Sequence, residues 1–198
     1  MKKLLYTAAA VLLISCNATK STSSSQSSTP AKAPVVKEMD KKETAKELVK
    51  DASGNLSGVQ TKWSYMQAPY GTWFTPRYEA YKPQESVVSE LKDAMEGVSI
   101  RGYMGTWCGD SKRETPQFYK LMDALDFDYE NLTMISVDRS KSKPVELVSG
   151  YDIKRVPTFI FYKNGKEIGR YVEYARESME EDFLKIASGA DYKHSYEK

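Results

Sequence analysis

The residue in this chain with the most chemistry is Cys108, in the stretch Gly105-Thr106-Trp107-Cys108-Gly109-Asp110-Ser111-Lys112-Arg113-Glu114-Thr115-Pro116. An apolar run precedes it and a helical pattern follows, so the thiol stands at a strand-to-helix turn. A helix N-terminus presents unpaired N–H groups and positive dipole charge, which favour thiolate over thiol, and the thiolate is the nucleophile. A cysteine that only packs would sit inside a strand or on an apolar helix face; Cys108 lies instead among Gly109, Asp110 and Ser111. Asp110 acts both ways, since a first-turn carboxylate complements the helix dipole while its charge opposes a thiolate. Ser111 is placed to donate a hydrogen bond to the sulfur. The pattern reads as a reactive thiol or as a retired site on a surviving scaffold.

The rest of the inventory excludes other chemistries. The only histidine, His194, lies in the polar tail DYKHSYEK, so neither a Cys-His nor a Ser-His pair is available. One free thiol and one tail histidine cannot build a zinc or iron site, no glycine-rich phosphate loop occurs, and no cofactor is expected.

The second cysteine, Cys16, belongs to a targeting segment spanning residues 1–15. Lys2 and Lys3 form a basic start, Leu4 to Ile14 is an apolar run too short to span a bilayer, and Leu13-Ile14-Ser15-Cys16 resembles a bacterial lipobox. The resemblance implies cleavage before Cys16 and lipidation of its thiol. Cys108 is then the one thiol of the mature chain, in an extracytoplasmic compartment where disulfides persist. The expected location is the cell envelope, at the outer membrane and facing the periplasm. Loss of Lys2 and Lys3 leaves 27 basic and 27 acidic residues, a neutral balance that offers nothing to nucleic acid.

Around the thiol the elements follow in order. Residues 16–53 are expected to be a linker, low in complexity over 21–30 and charged over Lys37 to Asp51. Residues 54–84 form an extension with Trp63, Tyr65, Tyr70, Trp73, Phe74, Tyr78 and Tyr81, which reads as packing on the following domain, or as an aromatic surface that holds an unfolded peptide. Within it, Thr75-Pro76 marks a short helix to Tyr81. From Gln84 the periodicity gives a helix ending near Gly97, a strand over 99–104, a helix over 111–125, a strand over 133–137 and a helix over 144–151. A hairpin over 158–172 turns at Asn164-Gly165, a helix over 178–188 closes the domain, and a polar tail follows over 190–198. The order is αβαβαββα, an α/β domain with a right-handed parallel crossover at its start and an antiparallel hairpin at its end.

With the elements in place, residues 85–189 resemble the thioredoxin family. The resemblance rests on Trp107-Cys108-Gly109 at the turn, Pro116 eight residues after the cysteine, Val156-Pro157-Thr158 before a strand, and Phe161-Tyr162-Lys163-Asn164-Gly165-Lys166 in the hairpin. The chain also looks close to envelope lipoproteins that carry Trp-Cys-Gly-Asp-Ser in this turn. The resemblance implies a thioredoxin fold, a central mixed sheet flanked by helices. It also implies a cis Pro157 packed against Cys108, and a substrate strand pairing with the backbone beside that proline.

Three departures qualify what the resemblance implies. Ser111 stands where the resolving cysteine belongs, Gly102 where the family has a buried aspartate, and Glu173 where it usually has glycine beside the substrate groove. Exchange needs a sulfur nucleophile, so a serine cannot release a captured partner. The expected function is a membrane-anchored monothiol oxidoreductase or isomerase-like protein. Cys108 would form mixed disulfides with envelope proteins or low-molecular-weight thiols, in the environment of Trp107, Gly109, Asp110, Ser111 and Glu173, with substrate held at Val156, Pro157 and Thr158. The alternative is a non-redox binding or chaperone module that uses the same groove.

Overall fold

The computed structural model describes residues 48–197. The targeting segment, Cys16 and most of the expected linker lie outside the described residues. The elements are β1 (Gly58–Gln60), α1 (Lys62–Met66), α2 (Gly71–Ala80), α3 (Glu85–Ala94), β2 (Val98–Met104), α4 (Gly109–Ala124), β3 (Leu132–Ser136), α5 (Val145–Val148), β4 (Thr158–Lys163), β5 (Lys166–Val172) and α6 (Met179–Ser188). One sheet holds all five strands in the order β1-β3-β2-β4-β5. β2 and β3 are parallel, joined across α4, and every other pair is antiparallel.

The central strand β2 is buried along most of its length, as a strand covered on both faces must be. One face carries α4 and α6, whose Phe118 and Phe183 meet Phe159, Phe161 and Tyr171 from β4 and β5. The other face carries Tyr103, Ile135, Val148, Ile153, Val156 and Ile160 under the short α5. Ser178 caps α6 by accepting from the Glu181 N–H, and Gly189 ends it at φ 75°. The hairpin turn has φ 53° at Asn164 and 74° at Gly165, the two positive angles that a type I′ turn requires.

Four local expectations need correction. The extension adds a strand: β1 pairs antiparallel with β3 and extends the sheet, which three residues are too short to announce by alternation. Its helix begins at Gly71, not Pro76; Tyr70 is the N-cap and Pro76 lies inside α2. Pro76 falls in the second turn, so its missing N–H removes only one rung. The helix expected over 144–151 is one turn, Val145–Val148, because Gly150 and Asp152 take positive φ and end it. Finally, residues 48–53 are not a tether. Leu48 packs on the core, Lys50 bridges Leu56, and Asp51 Oδ1 accepts from Ser53 N and Asn55 N at 2.8 and 2.9 Å.

The aromatic extension packs on the domain. Tyr65, Tyr70 and Phe74 are buried, and the Tyr65 hydroxyl meets Ser136 Oγ at 3.0 Å. Trp63 departs from this pattern and is 43% exposed. Asp123 of α4 clamps the extension: it accepts from Lys62 Nζ at 2.5 Å, from Tyr129 at 2.7 Å and from Tyr78. Burial opposes the charge on Asp123, but these hydrogen bonds outweigh it and hold the carboxyl below its ordinary value. A depressed folded value stabilises the fold above the unfolded value and is lost as pH falls through the folded one. Asp123→Asn is therefore expected to cost about 1 kcal/mol at neutral pH and to flatten the loss of stability below about pH 4, measured by denaturant midpoints against pH.

Candidate functional site

Cys108 is the N-cap residue of α4, with extended backbone at φ −91° and ψ 131°. Its N–H donates to the Gly105 carbonyl at 2.9 Å, and its carbonyl accepts from Lys112 N at 3.1 Å, so the turn is closed from both sides. The side chain is partly exposed, and the thiol is the only free one among the described residues. Sγ donates to the carbonyl of Val156 at 3.3 Å, so the thiol faces the loop that the family resemblance puts opposite it. The Val156–Pro157 bond in that loop is cis. Thr158 anchors the loop, its Oγ1 donating to the Arg155 carbonyl at 2.8 Å.

Trp107 is a fixed shelf beside the thiol. Its Nε1 donates to the Val137 carbonyl at 2.8 Å. The indole lies so close to Gly105 that a Cβ there would fall 2.5 Å from the ring, which is why that position has no side chain. Behind the shelf, Leu56 N donates to Thr106 Oγ1 at 3.2 Å, so the extension braces the reactive turn from its far side.

Two departures have structural explanations. Ser111 is fully buried, and its Oγ accepts from Gly105 N at 3.1 Å. The expected hydrogen bond from Ser111 to the sulfur is absent among the described residues; the serine oxygen holds the turn instead. At Gly102 a Cβ would lie 2.7 Å from Met134 Sδ and 3.2 Å from Phe159, so thioether and ring fill the space that an aspartate would need. Asp110 pairs with Arg113 Nη1 at 2.8 Å, which partly neutralises its charge beside the thiol, and Gly109 is exposed ahead of it.

Glu173 sits at φ 65°, in the left-handed region that favours glycine. Its N–H donates to the Pro157 carbonyl at 2.8 Å, placing it against the cis loop. Its carboxylate pairs with Arg155 at 3.2 Å and accepts from the Tyr196 hydroxyl. The tail is thus not merely polar. Tyr196 lies under the Arg155 guanidinium at 3.7 Å, and Ser195 Oγ donates to the Tyr174 carbonyl at 2.6 Å. Beside this latch a cleft of about 430 Å³ opens between Arg155, Arg170, Thr158 and Val172. Glu173→Gly removes the left-handed cost, about 1 kcal/mol, and loses a half-exposed pair worth less. Expected is a denaturant midpoint unchanged or slightly raised, with faster proteolysis after Lys193 as the tail loosens.

The structure brings Trp107, Cys108, Val156 and Pro157 together, with Thr158 and Glu173 supporting the same loop. It places Gly109 and Asp110 on the rim and Ser111 beneath. Sequence reasoning missed Arg155, Tyr196, and the cations Arg139 and Lys141, which lie 5.4 and 5.9 Å from the Trp107 ring centroid. Arg155 could have been found from its place just before Val156-Pro157. Nothing in the sequence marks Tyr196 as a partner.

The family model described as Thioredoxin matches residues 83–185. Thioredoxin of Gallus gallus is 33% identical over 93 residues, covering 47% of this chain and 83% of its own length. Thioredoxin of Ictalurus punctatus is 36% identical over 81 residues, covering 41% and 72%. Among solved structures, oxidised thioredoxin from Plasmodium falciparum in solution is 23% identical, covers 53% of this chain and 93% of its own, and has a TM-score of 0.35.

Proposed function

The chain belongs to the thioredoxin family and has its fold, and from that premise we propose that it is a monothiol exchange protein whose single working sulfur is Cys108. The thiolate attacks a disulfide RS–SR; the Cys108–SR bond forms as the RS–SR bond breaks, and the second sulfur leaves as a thiolate that takes a proton from water. A second, external thiol then attacks the adduct, frees Cys108 and carries RS away as a new disulfide. The observation that carries this reading is the thiol's placement, partly exposed at the N-terminus of a sixteen-residue helix and 3.3 Å from the carbonyl beside cis Pro157. Extended clients would pair with the backbone at Val156, and Ser111, buried and bound to Gly105, supplies no resolving sulfur. Proposed partners are envelope proteins and low-molecular-weight thiols.

The test is trapping. Full-length protein incubated with oxidised envelope extract is expected to yield reducible adducts that disappear entirely in Cys108→Ser. Adducts of equal abundance in that variant, or none in either protein, would overturn the reading. A second reading, a non-redox binding module, draws support from the missing resolving thiol and the filled space at Gly102; it predicts unchanged client capture by Cys108→Ser. We propose further that Cys16 is lipidated and holds the chain at the outer membrane, facing the periplasm. Cys16→Ala is then expected to move the protein from the detergent phase to the aqueous phase.

A further inference from the structure

Beside Cys108 the carboxylates are engaged by partners other than Arg139 and Lys141. Asp110 is paired with Arg113, Glu173 with Arg155, and Asp152 with Lys154 at 3.0 Å. Asp138, just after β3, is turned into its own loop. Its Oδ1 accepts from Ser142 N and Lys143 N at 2.9 and 3.0 Å, its Oδ2 accepts from Ser140, and its N–H donates to the Lys143 carbonyl at 3.2 Å. These bonds fix the loop 138–143, in which Lys141 takes φ 57°. The fixed loop carries Arg139 and Lys141 to the ring of Trp107, at 5.4 and 5.9 Å from its centroid. Among the described residues neither cation forms an ion pair. The ring itself is positioned by its hydrogen bond to Val137 and lies against Gly105. Two cations therefore rest on an aromatic shelf whose next residue is the thiol, and ring attraction leaves most of their charge available to a third group.

We propose that Arg139 and Lys141 are specificity-determining residues that select carboxylate-bearing disulfides for Cys108. The proposal rests on the exchange reading above and narrows its substrate class. A disulfide with carboxylates a few bonds from sulfur would set an anion against the two cations while its sulfur meets Cys108. A cationic disulfide would meet repulsion at the same approach. Charges arranged this way change the encounter rate more than the chemistry, and the effect fades as salt shortens the screening length to about 10 Å at 0.1 M.

The experiment measures the second-order rate of adduct formation on Cys108 with three small disulfides at low salt. Glutathione disulfide is anionic, 2-hydroxyethyl disulfide neutral and cystamine cationic. The ratio of the glutathione to the cystamine rate is read in the native chain, in Arg139→Glu/Lys141→Glu and in Arg139→Gln/Lys141→Gln. Arg139 is exposed and Lys141 half-buried, and the neutral disulfide controls for intact folding and thiol reactivity. Expected is a ratio that falls on the order of tenfold in the Gln variant, falls further in the Glu variant and shrinks with added salt, while the neutral rate holds within about twofold. A normal neutral rate with an unchanged ratio in both variants would overturn this proposal and leave the exchange reading standing. Failure of the native chain to react with any of the three would overturn both.

Discussion

A Ser111→Cys variant is expected to convert capture into release. In the native chain a Cys108 adduct waits for an external thiol. In the variant, the new sulfur one turn along α4 attacks Cys108, expels the bound thiolate and closes a disulfide between positions 108 and 111. Attack within the molecule shortens adduct lifetime on the order of 100-fold or more, since it replaces a bimolecular encounter. The cost is small: the serine oxygen accepts from Gly105 N at 3.1 Å, and sulfur is a poorer acceptor, so about 1 kcal/mol of stability is lost. A chromogenic aromatic disulfide checks it. The native protein should release one equivalent of coloured thiolate and retain the second, while the variant should release both. Retention of the second equivalent by the variant would mean that a sulfur at position 111, buried beneath Gly105, cannot turn toward Cys108.

The second large effect is expected from Gly102→Asp, which would install the acid that the family usually carries in this strand. Here the space is taken. The new Cβ would lie 2.7 Å from Met134 Sδ and 2.8 Å from Met134 Cε, so the carboxyl would be forced in among packed side chains. Overpacking of this kind costs about 1–3 kcal/mol, and taking a carboxyl out of water adds about 1–3 more, so the expected loss is on the order of 4 kcal/mol. Gly102→Ala should lose only the first part. Denaturant midpoints of Gly102→Asp, of Met134→Ala and of the two combined give the coupling: the double variant should lose less than the sum of the single losses, because truncating Met134 removes the collision. An unchanged midpoint for Gly102→Asp would show that the thioether moves aside freely.

These two positions also show how far the chain could be read before its structure. The central elements were legible because their periods are long and unbroken: Phe118, Leu121, Met122 and Leu125 mark α4, and Met179, Phe183 and Ile186 mark α6. The turn at Cys108 was legible because Trp, Cys, Gly and a later Pro each do a separate local job in order. β1 was not, since three residues carry no alternation and their pairing with β3 is set by tertiary contact. Thr75-Pro76 has the local features of an N-cap, yet Phe74 is buried against Tyr119 of α4 and Tyr70 is buried with its hydroxyl on the Gly54 carbonyl, and the helix extends back to Gly71. Glu173 falls beside the groove only through the family resemblance; its left-handed backbone and its link to Tyr196 depend on chain folding that no local pattern encodes.

The bracing of the reactive turn has a mechanical side. A load applied to the chain at Leu48 first meets the bridge between Lys50 and Leu56 and the loop that Asp51 closes onto Asn55. Farther along that route the Tyr70 hydroxyl donates to the Gly54 carbonyl and Leu56 N donates to Thr106 Oγ1, and Thr106 lies two residues before the thiol. Part of any tension drawn along that route would therefore fall on the turn that carries Cys108, and part on the edge of the sheet through the pairing of β1 with β3.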